Sequence, residues 1–116
     1  MIRAVVMFVT TIAATLVTVA SSAVRHWHHA VASFYGGELG WCGNGLHRLG
    51  AHTFASRSVP CGMRIRFCWH RRCVWGRRAD TGPYVPGRRF DLSTQMAERL
   101  HMTTAGVVTI RWRRLP

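Results

Sequence analysis

Lysine is absent from this chain, and carboxylates are nearly so. All 16 basic residues are arginine, against four acidic residues, for a formal charge of +12 over 116 residues. Such an excess draws polyanions, so nucleic acid, anionic lipid surfaces and anionic cell-wall polymers are the candidate partners. A genome rich in G and C, which favours arginine codons, gives the same imbalance without any partner. No C-x-x-C pair occurs. Its lack weighs against a zinc site built from the cysteines with His47 or His70. No internal repeat is present, and the length leaves room for one domain, which excludes separate catalytic and binding modules.

What is present begins with an apolar leader. Residues 1–23, "MIRAVVMFVTTIAATLVTVASSA", combine one early charge at Arg3, an uncharged run, and small residues at Ser21 and Ala23 in the spacing of a processing site. An export signal cleaved after Ala23 is expected. An uncleaved membrane anchor is the alternative, since the run approaches the length that spans a bilayer. No cysteine follows the leader, so no lipid anchor is expected.

Residues 24–31 read as a flexible lead-in whose histidines carry no metal. The remaining domain, residues 32–116, is small enough that an exported chain would use disulfides to supplement its core. Its four cysteines, Cys42, Cys61, Cys68 and Cys73, allow three pairings. "CWHRRC" reads as two strand ends joined by a four-residue loop, which suits a Cys68 to Cys73 bridge and leaves Cys42 for Cys61. The connectivity stays open at this point.

Along that domain, "ASFYGGELGWCGNGLHRLG" is too rich in glycine for a long helix and reads as a short strand followed by turns. "MRIRFCW" alternates strictly, with Met63, Ile65, Phe67 and Trp69 on one face, which predicts a half-buried strand. "CVWGRRAD" is its hairpin partner, with Gly76 suggesting a bulge. "TGPYVPG" is loop, and "RRFDL" is a strand delivering Ser93 as the N-cap of a helix with Met96 and Leu100 on one face. "GVVTIRWRRL" closes the chain with Val108, Ile110 and Trp112 alternating. The expected fold is mainly β, a small barrel with one or two short helices.

Four segments carry a family resemblance: "ASFYG" (32–36), "FASRSVPCGMRIRF" (54–67), "ADTGPYVPGRRFDLS" (79–93) and "AGVVTIRW" (105–112). In order and near spacing they resemble the rare lipoprotein A-like double-psi β-barrel family, whose fold is similar to those of barwin and expansins. The most specific part is D-x-G-P-Y followed by F-D-L-S. The resemblance implies a six-stranded barrel, exported to the cell envelope, secreted or on the periplasmic side; the lipid anchor of the family's namesake is not expected here, because no cysteine lies just after the leader. It also implies peptidoglycan glycan strands or a related polysaccharide as the partner, with lytic transglycosylase activity or a noncatalytic wall-binding role as the two outcomes. Cys42 and Cys61 look like the cysteine pair of short members of the family.

Carried over residue by residue, the family's two aspartates fall on Asp80 and Asp91. Its histidine falls on Ser56, and its glutamate falls at or near Gly45. The histidine and glutamate positions therefore depart from the pattern. Cleaving a glycosidic bond requires a proton for the leaving oxygen, and an acid that keeps its proton near working pH must be raised by burial or a neighbouring carboxylate. Asp80 is the expected acid/base, with Asp91 supporting it. Tyr35 and Tyr84 are candidate sugar-stacking surfaces, and Ser56 and Arg88 candidate substrate contacts, arginines favouring glycans that bear carboxylate or phosphate. A monomer is expected, with no cofactor and no nucleic-acid partner, because an export leader and disulfide-type cysteines argue against DNA.

Overall fold

The computed structural model describes residues 2–16 and 26–116. Residues 2–16 carry no helix or strand. The leader's processing site at Ala23 lies outside the described residues. No helix among the described residues is long and apolar enough to cross a membrane.

Among the described residues, eight strands and one helix follow: β1 (His28–Tyr35), β2 (Leu39–Cys42), β3 (Gly45–Arg48), β4 (Thr53–Ser56), β5 (Arg64–Trp69), β6 (Arg72–Asp80), β7 (Arg88–Ser93), α1 (Thr94–Arg99) and β8 (Val108–Arg114). Six close into a barrel in the order β1-β7-β4-β6-β5-β8, and β2 with β3 forms a separate two-stranded ribbon. Closure leaves the barrel no free edge. Two neighbouring pairs, β1 with β7 and β4 with β6, are parallel. The other four pairings are antiparallel.

The barrel forms because the alternating runs turn one face inward. Ile65, Phe67, Phe54, Phe90, Leu92 and Ile110 are fully buried, and Trp112 nearly so. Phe54, Phe67 and Phe90 meet edge to face with centroids 5.0 to 5.8 Å apart. Offset and edge-on contacts of this kind add about 0.5–1.5 kcal/mol each beyond area burial. Ser93 caps α1 by accepting from the Met96 amide at 3.2 Å, and Met96 and Leu100 cover the barrel.

Several expectations change. The lead-in over 24–31 loses its last four residues to β1, because His28–Val31 pair with β8. Gly76 does not bulge; it stands opposite Ile65 in register. Its lack of a side chain serves packing, since a Cβ there would lie 2.7 Å from Met96 Sδ and Cε. The irregularities fall instead in the two parallel pairs, at Val31/Ala32 and Phe54/Ala55. "CWHRRC" turns through only His70 and Arg71, because Trp69 still pairs with Arg72, and His70 takes the left-handed φ of 53° that a tight turn requires.

The glycine-rich stretch after β1 is also more ordered than turns. "LGWC" and "GLHR" pair as a ribbon around Gly43 and Asn44, with Gly43 at φ 64°. A Gly-Asn pair between two short alternating runs is a hairpin signal that glycine content obscured. Cys42 is bonded to Cys61, tying this ribbon to the loop before β5, and Cys68 is bonded to Cys73 directly across the β5–β6 ladder.

Candidate functional site

Register brings the two aspartates to neighbouring places on the barrel wall. Ala55 of β4 is opposite Asp80 on one side and opposite Asp91 on the other, and Asp91 is opposite Ser33 of β1. Each parallel pair slips by one residue just before its aspartate. Bulges of this kind re-aim a side chain. The two carboxylates are therefore two strands apart, about 10 Å across the sheet. Between them Ala55 presents only a methyl group.

Their surroundings differ. Asp80 accepts from the Tyr35 hydroxyl at 2.5 Å, from the Trp41 amide at 2.8 Å and from the Thr81 amide at 2.9 Å. Both of its oxygens are engaged. Asp91 accepts one hydrogen bond, from the buried Ser33 hydroxyl at 2.9 Å. Partial burial pushes the Asp91 carboxyl above its ordinary value; Ser33 and the Arg88 guanidinium oppose that rise, and the charge of Asp80 adds to it. Tyr35 is likewise raised, by burial first and then by its bond to Asp80, so it stays a donor.

Asp80 also fixes the ribbon. Its bond to the Trp41 amide, with Thr81 Oγ1 donating to the Trp41 carbonyl at 2.6 Å, pins β2 over the end of β6. Gly40 makes the approach possible, because a Cβ there would lie 2.6 Å from Asp80 Cβ and 2.8 Å from Leu49 Cδ2. Gly40→Ala is expected to push the ribbon off Asp80 and to cost about 1–3 kcal/mol by overpacking. Urea denaturation measures it; an unchanged midpoint would mean that the ribbon yields freely.

The remaining sequence candidates separate. Ser56, the last residue of β4, is fully buried and its Oγ accepts from the Ser58 and Val59 amides. Gly45 sits at the end of the ribbon with no atom within 4 Å of where its Cβ would be. Glu38, at the foot of the ribbon, lines a recess with Gly37, Leu39, Arg48 and Leu49, apart from both aspartates. Tyr84 is 71% exposed with the Arg57 guanidinium 5.3 Å over its ring. Arg88 lies beside Asp91 closely enough to act on its proton. Arg78, next to Asp80 in space, directs its donors to the Val59 and Asp80 carbonyls and Thr81 Oγ1. Trp41, 54% exposed, escaped the sequence reading because its role runs through its backbone amide.

A closed barrel with two parallel pairs and a carboxylate on each of two nearby strands defines a double-psi barrel protein. Residues 28–112 match the family described as lytic transglycolase, and the chain belongs to that rare lipoprotein A-like family. It is 39% identical over 98 residues to a probable endolytic peptidoglycan transglycosylase RlpA of Nostoc sp.. That match covers 78% of this chain and 26% of the relative, so the chain spans about a quarter of the relative's length. Among solved structures it is similar to the Streptomyces papain inhibitor, with a TM-score of 0.63 at 19% identity, covering 80% of this chain and 97% of that one. An expansin of Clavibacter michiganensis gives 0.64 at 19% identity, covering 78% and 51%. These two likenesses establish the double-psi barrel fold.

Proposed function

We propose that this domain acts in the cell envelope on the glycan strands of peptidoglycan as a lytic transglycosylase, with Asp91 as the acid/base and Asp80 as the group that holds Tyr35 and the β2–β3 ribbon in place. The observation that carries the assignment is the contrast between the two carboxyls. Asp91 has one donor and a proton affinity raised by burial, whereas three donors occupy Asp80. A general acid must hold its proton near working pH and have an oxygen free to deliver it.

In the reaction, the Asp91 carboxyl donates its proton to the glycosidic oxygen as the bond from that oxygen to the sugar carbon breaks. A hydroxyl of the same sugar then bonds to that carbon and returns its proton to the Asp91 carboxylate. The product is an anhydro sugar, and no water is consumed. A single carboxyl suffices because it serves first as acid and then as base.

Gly45 and Ser56, where the family pattern has glutamate and histidine, favour a second reading, a barrel that binds the wall without cutting it. Incubating the oxidised protein with purified sacculi, intact or stripped of stem peptides, separates the two. Soluble anhydro-sugar fragments by mass spectrometry support the enzyme. Protein recovered on the pelleted wall with nothing released would remove it.

A further inference from the structure

One recess next to this face is lined by Arg57, Ser58, Gly87, Arg88 and Arg89, with a volume of about 260 Å³ and no carboxylate in its lining. It lies where the β4–β7 ladder ends. Ala55 pairs with Asp91 and Ser56 with Phe90, and the next residues along both strands are those of the recess. Arg89 is two positions from Asp91 along β7, about 7 Å of strand.

Three arginines line this one recess and repel one another, with Asp91 offsetting the charge of Arg88 in part. Among the described residues, the arginines whose guanidinium groups donate hydrogen bonds are Arg64, Arg78 and Arg111. Arg57, Arg88 and Arg89 are not among them. Two of the three are instead laid on aromatic faces, Arg57 on Tyr84 at 5.3 Å and Arg89 on Trp112 at 4.8 Å. A guanidinium held flat on a ring keeps its N–H edge available, and that edge matches the oxygens of a carboxylate or phosphate. Ser58 adds a hydroxyl at the rim.

We propose that the recess of Arg57, Ser58, Arg88 and Arg89 is an oxyanion subsite that receives a carboxylate or phosphate carried on the saccharide polymer, setting which sugar lies against Asp91. The inference rests on the glycan reading for the polymer that carries the anion and for the choice of probe. A bound oxyanion would offset the charge of the arginines that line the recess. It would also hold the polymer in one register, because the anion-bearing sugar is fixed about 7 Å along the strand from the acid. A neutral sugar gains nothing there.

The test is an NMR titration of the full chain, with both disulfides formed, against inorganic phosphate, N-acetylmuramic acid and N-acetylglucosamine. The last two differ by a lactyl carboxylate. The amides of Arg57, Ser58, Gly87, Arg88 and Arg89 should move with one or both anions and stay still with the neutral sugar. A stronger response to N-acetylmuramic acid assigns a sugar carboxylate, and a stronger response to phosphate assigns a phosphodiester polymer. The double variant Arg57→Gln with Arg89→Gln should weaken binding about tenfold or more, the loss expected for charge-assisted hydrogen bonds. Arg66→Gln with Arg71→Gln, which removes the same charge elsewhere, should change it little. Equal weakening in both double variants, movement spread over arginines outside the recess, or an equal response to the neutral sugar would overturn the subsite. The wild-type titration stands even where a variant fails to fold. Because binding needs no turnover, a positive titration beside untouched sacculi would reject the enzyme while keeping the subsite.

Discussion

Asp91→Asn is expected to abolish release of anhydro-sugar fragments, lowering the rate roughly a hundred- to ten-thousand-fold, while leaving the barrel at least as stable as the parent at neutral pH. The activity loss follows because an amide has no proton of suitable acidity to give the leaving oxygen. The stability outcome follows from the direction of the shift. Burial raises the folded-state value of Asp91 above the ordinary 3.8. A group shifted upward contributes stability that is fully present below the unfolded value and is lost as pH rises through the folded value. Asparagine never ionises, so the variant's relative stability should climb with pH from 3.8 upward and level off above the folded value. Its Oδ1 can still accept from Ser33.

Parent activity should follow the same group and fall as pH rises through the raised Asp91 value. Thermal melts across pH, with fragment release measured on the same samples, check both halves. A folded variant that keeps activity would refute Asp91 as the acid, and a variant that unfolds at neutral pH would refute the stability half. Asp80→Asn is the informative contrast. It should lower stability, because it weakens charge-assisted bonds from Tyr35, Trp41 and Thr81.

Replacing Cys42 and Cys61 together by serine is expected to cost roughly 3 kcal/mol, and replacing Cys68 and Cys73 roughly 2 kcal/mol or less. The bridges span 19 and 5 positions of chain respectively. The longer one removes more freedom from the unfolded chain. The shorter bridge joins residues already paired across the β5–β6 ladder, so much of its constraint duplicates strand pairing. The two losses should also differ in place. Without Cys42–Cys61 the ribbon keeps its bonds through Trp41 to Asp80 and Thr81 but loses its covalent tie to the loop before β5. Amide exchange should therefore quicken at Trp41 in the first variant and at the His70 turn in the second. Denaturation midpoints in the reverse order would show that native-state geometry outweighs loop length here.

How far the primary structure foretold this architecture depends on the range of each signal. The alternation in "MRIRFCW" fixed the inward set of β5, and Ser93 ahead of "TQMAER" fixed the start of α1, because both are decided within a few residues. The family segments gave barrel and strand number together. Glycine misled twice, at Gly76 and in the ribbon, because its lack of a side chain served a distant partner. Gly76 admits Met96, and Gly40 admits Asp80 and Leu49.

The chain by itself determined an excess of arginine, two aspartates flanking a loop that holds two prolines, four cysteines, and a set of alternating runs able to close a barrel. Only the tertiary structure decided what surrounds each aspartate. Asp80 and Asp91 stand in similar sequence settings, and their difference arises because Tyr35 and Trp41, 45 and 39 positions away, donate to one of them. The other is left half-buried with Ser33 alone as donor. The same holds for Arg57 and Arg89, which join in one recess because β4 and β7 pair across 30 residues of chain. Local pattern selects a strand's face, but the hydrogen-bond partners and electrostatic neighbours of a carboxyl are set by pairing between distant segments.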